Sequence, residues 1–391
     1  MGIWRAAFAA SSAGLICIGV ARLSYPPMIP ALIEARWFPA SSIIYFGAAN
    51  LAGYLGGALV ARTLVRFVSP AILLRAMMVL VTLSFFASAA PLSWSWFFAW
   101  RFLSGLGGAV VMVVAAPTVL SHVPPARRGM VGGVIFAGVG GGVAVSGILV
   151  PALLRWGLVE TWCGLGAFAA ILTAAAWSGF PRDAVAAQVP SPSAPVVRSW
   201  GGIVVLALLI EYAINASAQV PHMVFLVDFI ARGLARGIDV GGEYWVIYGC
   251  GAIAGPLVLG RVADRIGFGP TWRIGLAIEA AAVALVVIST NGIVLGISAV
   301  LLGALTPGLV VVVMGRVQEL VADPNRQRTV WAAATTAFAL GQAVAGYGYS
   351  YLFVTTGGTY AWLYAIGAAM ALIALAIDLA APLGRRRVVN A

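Results

Sequence analysis

The sequence contains no lysine, only two histidines and three cysteines, and charged residues make up just 9% of its 391 positions. The histidines stand alone and the cysteines form no CxxC pair, so neither a metal site nor a disulfide framework is expected. The GxxxxGK[ST] loop that cradles nucleotide phosphates is also missing, which argues against an ATP-driven activity of this chain alone. These absences predict no cofactor and no enzymatic function.

Long apolar stretches fill the chain instead. Hydrophobic residues make up 62% of the sequence, the mean hydropathy is +1.01, and 47 residues are glycine. A membrane-spanning helix needs about 20 apolar residues, and glycine lets such helices pack closely. The pattern predicts an all-α membrane protein with twelve transmembrane helices. The predicted spans lie near 6–30, 40–61, 69–90, 94–121, 130–152, 159–180, 201–227, 243–262, 271–290, 292–315, 329–354 and 359–381.

Arginine supplies every basic residue and gives a formal net charge of +11. A basic chain could bind nucleic acid, but seventeen arginines fall on one side of the predicted spans and four on the other, with Arg22 and Arg101 inside. Positive residues concentrate on the cytoplasmic side of membrane proteins. We therefore expect a multi-pass protein of the bacterial inner membrane with both termini in the cytoplasm, and no nucleic-acid partner.

One long polar interruption divides the chain. The stretch 181–199, PRDAVAAQVPSPSAPVVRS, is rich in proline, serine and alanine, which predicts a flexible cytoplasmic linker. It separates two predicted six-helix bundles, 1–180 and 200–391.

Short internal matches support a duplication of these bundles. VPPARRGMVGG at 123–133 corresponds to ADPNRQRTVWA at 322–332, and YPPM at 25–28 corresponds to VPHM at 220–223. A duplicated membrane bundle predicts a central cavity where the two halves meet.

Two related sequences follow the predicted second span of each half. GRVADRIG at 260–267 matches the loop motif GxxxDRxG, with Asp264 in its acidic position. The copy in the first half, GALVARTLVR at 57–66, has Ala61 where the motif has aspartate. Together with RFLSGLGGA at 101–109 in the fourth span, these sequences resemble the motifs of the major facilitator superfamily.

Two further stretches are similar to the YbfB/YjiJ-like branch of that superfamily, ARLSYPPMIPAL at 21–32 and FLVDFIARGLARG at 225–237. The resemblance implies a transporter that works by alternating access, with the first, second, fourth and fifth spans of each half around the cavity. It also implies that the motif loop of one half docks against the fifth span of the other. The expected gating residues are Arg62, Arg66, Arg127, Arg128, Asp264 and Arg265.

Two arginines lie inside predicted spans. At about 1.5 Å per residue, Arg22 and Arg101 come out at similar depth in the outer half of the membrane. A charge in lipid is costly and is expected to have a partner or a function, and a guanidinium offers a fixed fork to a carboxylate-like anion. For Arg101, bracing of helices through backbone carbonyls is the alternative. The expected substrate-binding residues are Arg22, Tyr25, Asn50, Tyr54, Arg101, Gln219, Thr306 and Gln342.

The seventh span holds two candidates for proton coupling. Glu211 is an acidic residue near its middle, and such residues in membrane helices often carry protons. His222 follows eleven residues later on nearly the same face and could relay protons. The alternatives are an ion pair of Glu211 with an arginine and a hydrogen-bonded structural histidine. Glu279 in the ninth span is expected to brace helices, and Asp378 to pair with the basic tail.

The leading hypothesis is a monomeric secondary transporter that moves a small anionic solute through the lipid bilayer and is coupled to protons. One alternative is a proton-driven multidrug exporter, for which an acidic, aromatic cavity would be more typical than two arginines. The other is a facilitator-fold protein that no longer transports and serves in sensing or assembly.

Overall fold

The computed structural model describes residues 2–124, 127–181 and 203–380, so all of the predicted linker after Pro181 lies outside the described residues. Within them the chain forms twelve long helices and no β-strand. The helices are α1 (Ile3–Glu34), α2 (Ala40–Phe67), α3 (Pro70–Ser88), α4 (Trp94–Leu120), α5 (Arg128–Leu154), α6 (Leu158–Ala176), α7 (Ile203–Gly233), α8 (Ile238–Ile266), α9 (Phe268–Ile288), α10 (Gly292–Leu320), α11 (Pro324–Thr355) and α12 (Tyr360–Ala380). We call α1–α6 the first half and α7–α12 the second half.

Eleven of these helices are long and apolar enough to cross a membrane. The twelfth, α11, is the least apolar because it carries Thr335, Thr336 and Gln342 among its small residues. The predicted all-α membrane architecture with twelve helices is confirmed.

Several helices are longer than their apolar cores predict. The GRVADRIG motif was expected in a loop, but 260–266 form the last turns of α8, and α2 likewise continues to Phe67. Hydropathy ends a span at the first charged residues, whereas a helix continues past the lipid because it keeps its backbone hydrogen bonds. Gly267, with φ of 90°, ends α8 in a conformation that favours glycine.

The first helix of each half contains a π-helical stretch near the arginine cavity, at positions that differ between the halves. In α1, residues Leu15–Val20 form a π-helical stretch directly before Arg22, and in α7 the stretch Pro221–Phe225 is π-helical and contains Met223. Such bulges are frequent at functional sites because they rotate the side chains that follow them. The geometry therefore turns Arg22 and Met223 toward each other across the two halves.

Glycine contacts between helices repeat from one half to the other with an offset of 198 residues. A Cβ added to Gly53 or Gly105 would meet the carbonyl oxygens of Phe102 or Asn50, and one added to Gly251 or Gly303 would meet those of Val300 or Tyr248, all at 1.9 to 2.2 Å. Backbones of α2 and α4, and of α8 and α10, approach this closely only because these positions lack a side chain. Asn50 and Tyr248 thus occupy equivalent positions.

The two halves meet along a glycine-lined contact between α5 and α8. We call this the α5–α8 seam, formed by Gly140, Gly147, Gly242 and Gly249. A Cβ on Gly249 would lie 2.5 Å from the backbone nitrogen of Ala144, and one on Gly140 would lie 2.8 Å from the backbone of Ala252. Backbone therefore packs on backbone along the seam.

Polar and aromatic contacts join the halves toward one face of the bundle. We call the face where α1 begins the N-terminal face and the opposite one the far face. Toward the far face, the Trp245 indole donates to the Leu23 carbonyl at 2.7 Å and to Ser146 Oγ at 3.1 Å, and the rings of Tyr45 and Tyr347 lie 6.2 Å apart. These contacts seal the passage between the halves on that side.

The expected gate at the N-terminal face is not formed in this arrangement. Asp264 is exposed and has no hydrogen-bond or ion-pair partner among the described residues, and Arg66, Arg127 and Arg265 are exposed as well. Glu319 is engaged within the second half, since it accepts from Arg316 at 2.9 Å and from the Phe268 amide at 3.2 Å. The docking of Asp264 that the motif implies is therefore not formed among the described residues. The side chains of Arg62 and Arg128 lie outside the described residues.

Candidate functional site

A small cavity lies between the two arginines of the first half. Its volume is about 10 Å³, which is room for about one water molecule. Both halves contribute to its lining, since α7 supplies two of the residues. They are Arg22, Leu23, Tyr25, Pro26, Gly47, Asn50, Leu51, Arg101, Met223 and Val224.

Arg101 combines bracing with exposure to this cavity. It is 3% exposed, and its Nη1 donates to the Ala21 carbonyl at 3.0 Å. Its guanidinium lies 4.1 Å from the centre of the Tyr25 ring, and the Tyr25 hydroxyl donates to the Ile43 carbonyl at 2.6 Å. The bracing alternative therefore holds for one nitrogen of Arg101, while the residue still lines the cavity.

Arg22 connects the two halves. Its Nη2 donates to Gln342 Oε1 of α11 at 2.5 Å and lies 3.4 Å from Met223 Sδ of α7. The guanidinium also lies 5.0 Å from the centre of the Tyr54 ring of α2. A ligand that bound Arg22 would therefore act on the contact between the halves.

Neither arginine has a carboxylate partner. The ion pairs of the described residues join Arg232 to Asp228, Arg273 to Asp378 and Arg316 to Glu319. Arg22 Nε and Arg101 Nε are buried without a hydrogen-bond partner. Two cations held in an apolar interior without a counter-charge are costly, and an anion between them would remove that cost.

Asn50 adds a third unsatisfied group to the same cavity. Its Nδ2 donates to Ser104 Oγ at 2.8 Å and to the Arg101 carbonyl at 3.2 Å, whereas its buried Oδ1 has no partner. The side chain thus holds α2 against α4 and leaves an acceptor for a protonated group or a water.

Comparison with known proteins identifies the family of this chain. The family described as "Uncharacterised MFS-type transporter YbfB" matches residues 14–379. The chain belongs to this family. The predicted membership in the major facilitator superfamily and its YbfB-like branch is confirmed, and the fold and family are those of transporters.

The solved structures include a similar fold, and the curated proteins include no match. The crystal structure titled as that of a D-xylose-proton symporter superposes with a TM-score of 0.79 at 14% sequence identity and covers 97% of this chain and 98% of its own. At that identity the likeness shows the fold alone. No curated protein matches this transporter.

The structure brings most of the predicted binding residues of the transporter together. Arg22, Tyr25, Asn50 and Arg101 line the cavity, and Tyr54 and Gln342 contact Arg22. Sequence reasoning missed Met223 and Ser104. The match of VPHM to YPPM was the one signal that pointed to Met223, because it aligned this residue with Met28 near the functional end of the first span.

Thr306 lies farther along the second half. Its hydroxyl is 2.8 Å from the Tyr248 hydroxyl and also donates to the Leu302 carbonyl. Tyr248 is the counterpart of Asn50 in the glycine contacts. Thr306 therefore contacts Tyr248, a residue that sequence reasoning did not single out, and does not line the cavity.

Three residues predicted on the cavity side of α7 lie elsewhere. Glu211 accepts from the Trp272 indole of α9 at 3.0 Å, His222 Nε2 lies 2.7 Å from Ser298 Oγ of α10, and Gln219 donates to Asn215. The predicted contact of Glu211 with Arg22 or Arg101 is absent in this arrangement. Glu211, Gln219 and His222 share one helix face, and α7 turns that face toward α9, α10 and α12.

Two acidic residues in the supporting helices are paired inside the second half. Asp378 binds Arg273 of α9, and the basic tail with which it was predicted to pair lies outside the described residues. Glu279 accepts from Asn215 of α7, as expected for a residue that braces helices.

Proposed function

We propose that this transporter moves a small anionic solute across the bacterial inner membrane by alternating access, and that transport is coupled to protons. The observation that carries the proposal is the pair of arginines inside the bundle, half-buried Arg22 and buried Arg101, which line one cavity and have no carboxylate partner among the described residues. A guanidinium keeps its charge at any physiological pH and matches the geometry of carboxylates and similar anions.

The position of Arg22 suggests how binding acts on the conformation. Its partners Gln342 and Met223 belong to the second half, so an anion competes with contacts that hold the halves together. The cavity has room for about one water here. A larger solute therefore binds only when the halves separate around Arg22. Binding of the solute is in this way coupled to opening of the gate.

The arginine distribution supports the orientation. If the N-terminal face is cytoplasmic, seventeen arginines lie on that side, as the positive-inside rule expects. The arrangement described above is then closed toward the outside. The two six-helix bundles, 1–180 and 200–391, are the units proposed to move within a single chain.

A thermal-shift screen of the purified full-length chain tests the proposal. Carboxylates, sulfonates and inorganic anions are compared with lipophilic cations at equal ionic strength. Stabilisation by one class of anion is expected, because a ligand that binds only the folded state raises the unfolding temperature. Stabilisation by lipophilic cations alone would favour the multidrug exporter instead, and binding without uptake in proteoliposomes would favour a sensor.

The gate gives a prediction of its own. Asp264→Asn removes the acid of the GxxxDRxG motif and is expected to shift the protein further toward the arrangement that is open at the N-terminal face. The reason is that the closed gate loses its charge–dipole contact with the start of α5. Double electron–electron resonance between labels on Ser69 and Ile266, which are exposed and lie outside the expected gate, measures this opening. Ala61→Ser in the first-half copy is the control, and equal shifts in both variants would contradict the prediction.

Proton coupling predicts a different phenotype for Glu211. Glu211→Gln mimics the protonated side chain and is expected to retain binding of the anion while losing accumulation driven by a pH gradient. Uptake and counterflow by proteoliposomes separate the two effects, since counterflow needs no gradient. Undiminished uphill uptake would exclude Glu211 as the obligatory carrier.

A further inference from the structure

A second buried carboxyl group lies deep in the second half, away from the arginine cavity. Glu279 of α9 is fully buried, and it contacts Asn215 and Gln219 of α7. No arginine or histidine among the described residues forms an ion pair with it. An ionised carboxylate in this position would be a buried charge without a counter-charge, which proteins rarely keep.

The hydrogen bonds around Glu279 are incomplete in one specific way. Asn215 Nδ2 donates to Glu279 Oε2, and Gln219 Nε2 donates to Asn215 Oδ1 at 3.2 Å. Two buried oxygens then remain without a donor, Glu279 Oε1 and Gln219 Oε1. A proton on Glu279 Oε1 would turn one of these two oxygens into a donor.

One proton on the carboxyl group supplies what is missing. A protonated Glu279 can donate from Oε1 to a neighbouring amide oxygen while Oε2 still accepts from Asn215. Each of the three side chains then both donates and accepts. An ionised carboxylate only accepts, so it cannot provide the donor that the buried oxygens require.

The surroundings of Glu279 connect it through α7 to the arginine cavity. Along α7, Glu211 precedes Asn215 by one turn and His222 follows Gln219 by about one turn. The same helix carries Met223, which lines the arginine cavity. The titratable and charged side chains of the helices around α9 include Glu211, Tyr212 and His222 of α7, Tyr248 of α8, Arg316 and Glu319 of α10, and Tyr364 and Asp378 of α12.

The two arginines near α9 do not neutralise Glu279. Arg316 pairs with Glu319, and Arg273 pairs with Asp378. Arg273 precedes Glu279 by six residues, which is about 9 Å along the helix. Their charges are taken up near the N-terminal face.

We propose that Glu279, held by Asn215 and Gln219, is a proton-binding site of this transporter, located between α7 and α9 and separate from the anion-binding arginines. The proposal deepens the proton coupling of the proposed function and rests on it. Glu279 takes a proton in one conformation and releases it in another, and α7 relates the two sites because it carries Met223 at the arginine cavity and Asn215 and Gln219 beside Glu279. The ligand is a single proton, and no covalent bond other than O–H forms or breaks.

Infrared difference spectroscopy tests the site without knowledge of the solute. Spectra of the full-length chain in lipid nanodiscs are recorded at two pH values, and a protonated buried carboxylic acid gives a carbonyl band distinct from carboxylate bands. We expect wild type to show such a band that changes with pH, and Glu279→Gln to lose that component. Glu243→Gln, which removes an exposed carboxylate of α8, is the matched control and should retain it.

Several outcomes would overturn the proposal. A difference spectrum of Glu279→Gln identical to wild type would mean that Glu279 does not exchange a proton. A Glu279 band that is present but constant with pH would mean a permanently neutral structural group. Replacement of choline by sodium at constant pH should leave the band unchanged, and its loss would identify a sodium site instead.

A second variant covers the case in which Glu279→Gln does not fold. Gln219→Met keeps the carboxyl group and removes its amide neighbour, so the band should shift in frequency and titrate at a different pH. An unshifted band would overturn the assignment. Arg22→Ala should keep the band, and this result separates failure of the anion site from failure of the proton site.

Discussion

Arg22→Ala is expected to abolish binding of the anionic solute. Truncating one partner of a buried charge pair costs about 2–5 kcal/mol, which is a loss in affinity of roughly 30-fold to more than 1,000-fold. The loss should be large because Arg22 Nε is buried and unpaired and because Arg22 joins α1 to α7 and α11. Titration calorimetry with the anion found by the thermal-shift screen measures it.

Two controls separate charge from geometry. Arg22→Lys should restore binding only in part, because an ammonium group is a point charge and lacks the bidentate fork. Arg261→Ala removes an exposed arginine of α8 and should bind like wild type. Arg101→Lys is preferred to alanine, because Arg101 also holds the Ala21 carbonyl. Wild-type affinity in Arg22→Ala would rule out Arg22 as an anion ligand.

Gly105→Ala adds only one methyl group, and it is nevertheless expected to destabilise the fold severely. The added Cβ would lie 2.0 Å from the Asn50 carbonyl oxygen, so α4 and α2 must move apart. Overpacking of this kind costs about 1–3 kcal/mol, and here the neighbour is backbone that cannot rotate away. Thermal unfolding in detergent measures the loss.

Two further glycine variants provide a replicate and a control for Gly105→Ala. Gly303→Ala places its Cβ 1.9 Å from the Tyr248 carbonyl oxygen and should be destabilised to a similar degree. Gly348→Ala of α11 meets nothing within 4 Å and should be neutral or slightly stabilising, because alanine favours helices. Equal stability of Gly105→Ala and Gly348→Ala would contradict the expected packing.

The depth of a residue along a membrane span could be predicted from the sequence. Counting residues from the span ends put Arg22 and Arg101 at similar depth on cavity-forming helices, and the structure places both around one cavity. Hydropathy also yielded all twelve spans, since each apolar core is long enough to be seen without knowledge of its neighbours.

Rotation about a helix axis could not be predicted in the same way. Glu211 and Gln219 were expected at the cavity, but the face that carries them packs on α9 instead. The direction of that face depends on the π-helical stretches and on the packing of α7 against α9 and α12, and neither leaves a clear hydropathy signal. Met223 was missed for the same reason, because its role follows from where its π-helical stretch points it.

Motion between the halves depends on the α5–α8 seam. Interfaces built from interdigitating side chains must unpack before they slide, which creates an energy barrier. Along the seam, Gly140 and Gly249 meet backbone of the other helix, while Gly147 and Gly242 are met first by the side chains of Val246 and Pro151. The four glycines themselves contribute no side-chain knobs to withdraw. The seam therefore opposes rotation of one half against the other with only a low energy barrier, because the contact area stays nearly constant during the movement. A speed limit on turnover would then come from the polar contacts of Arg22 and Trp245, and not from the apolar surface on which the halves turn.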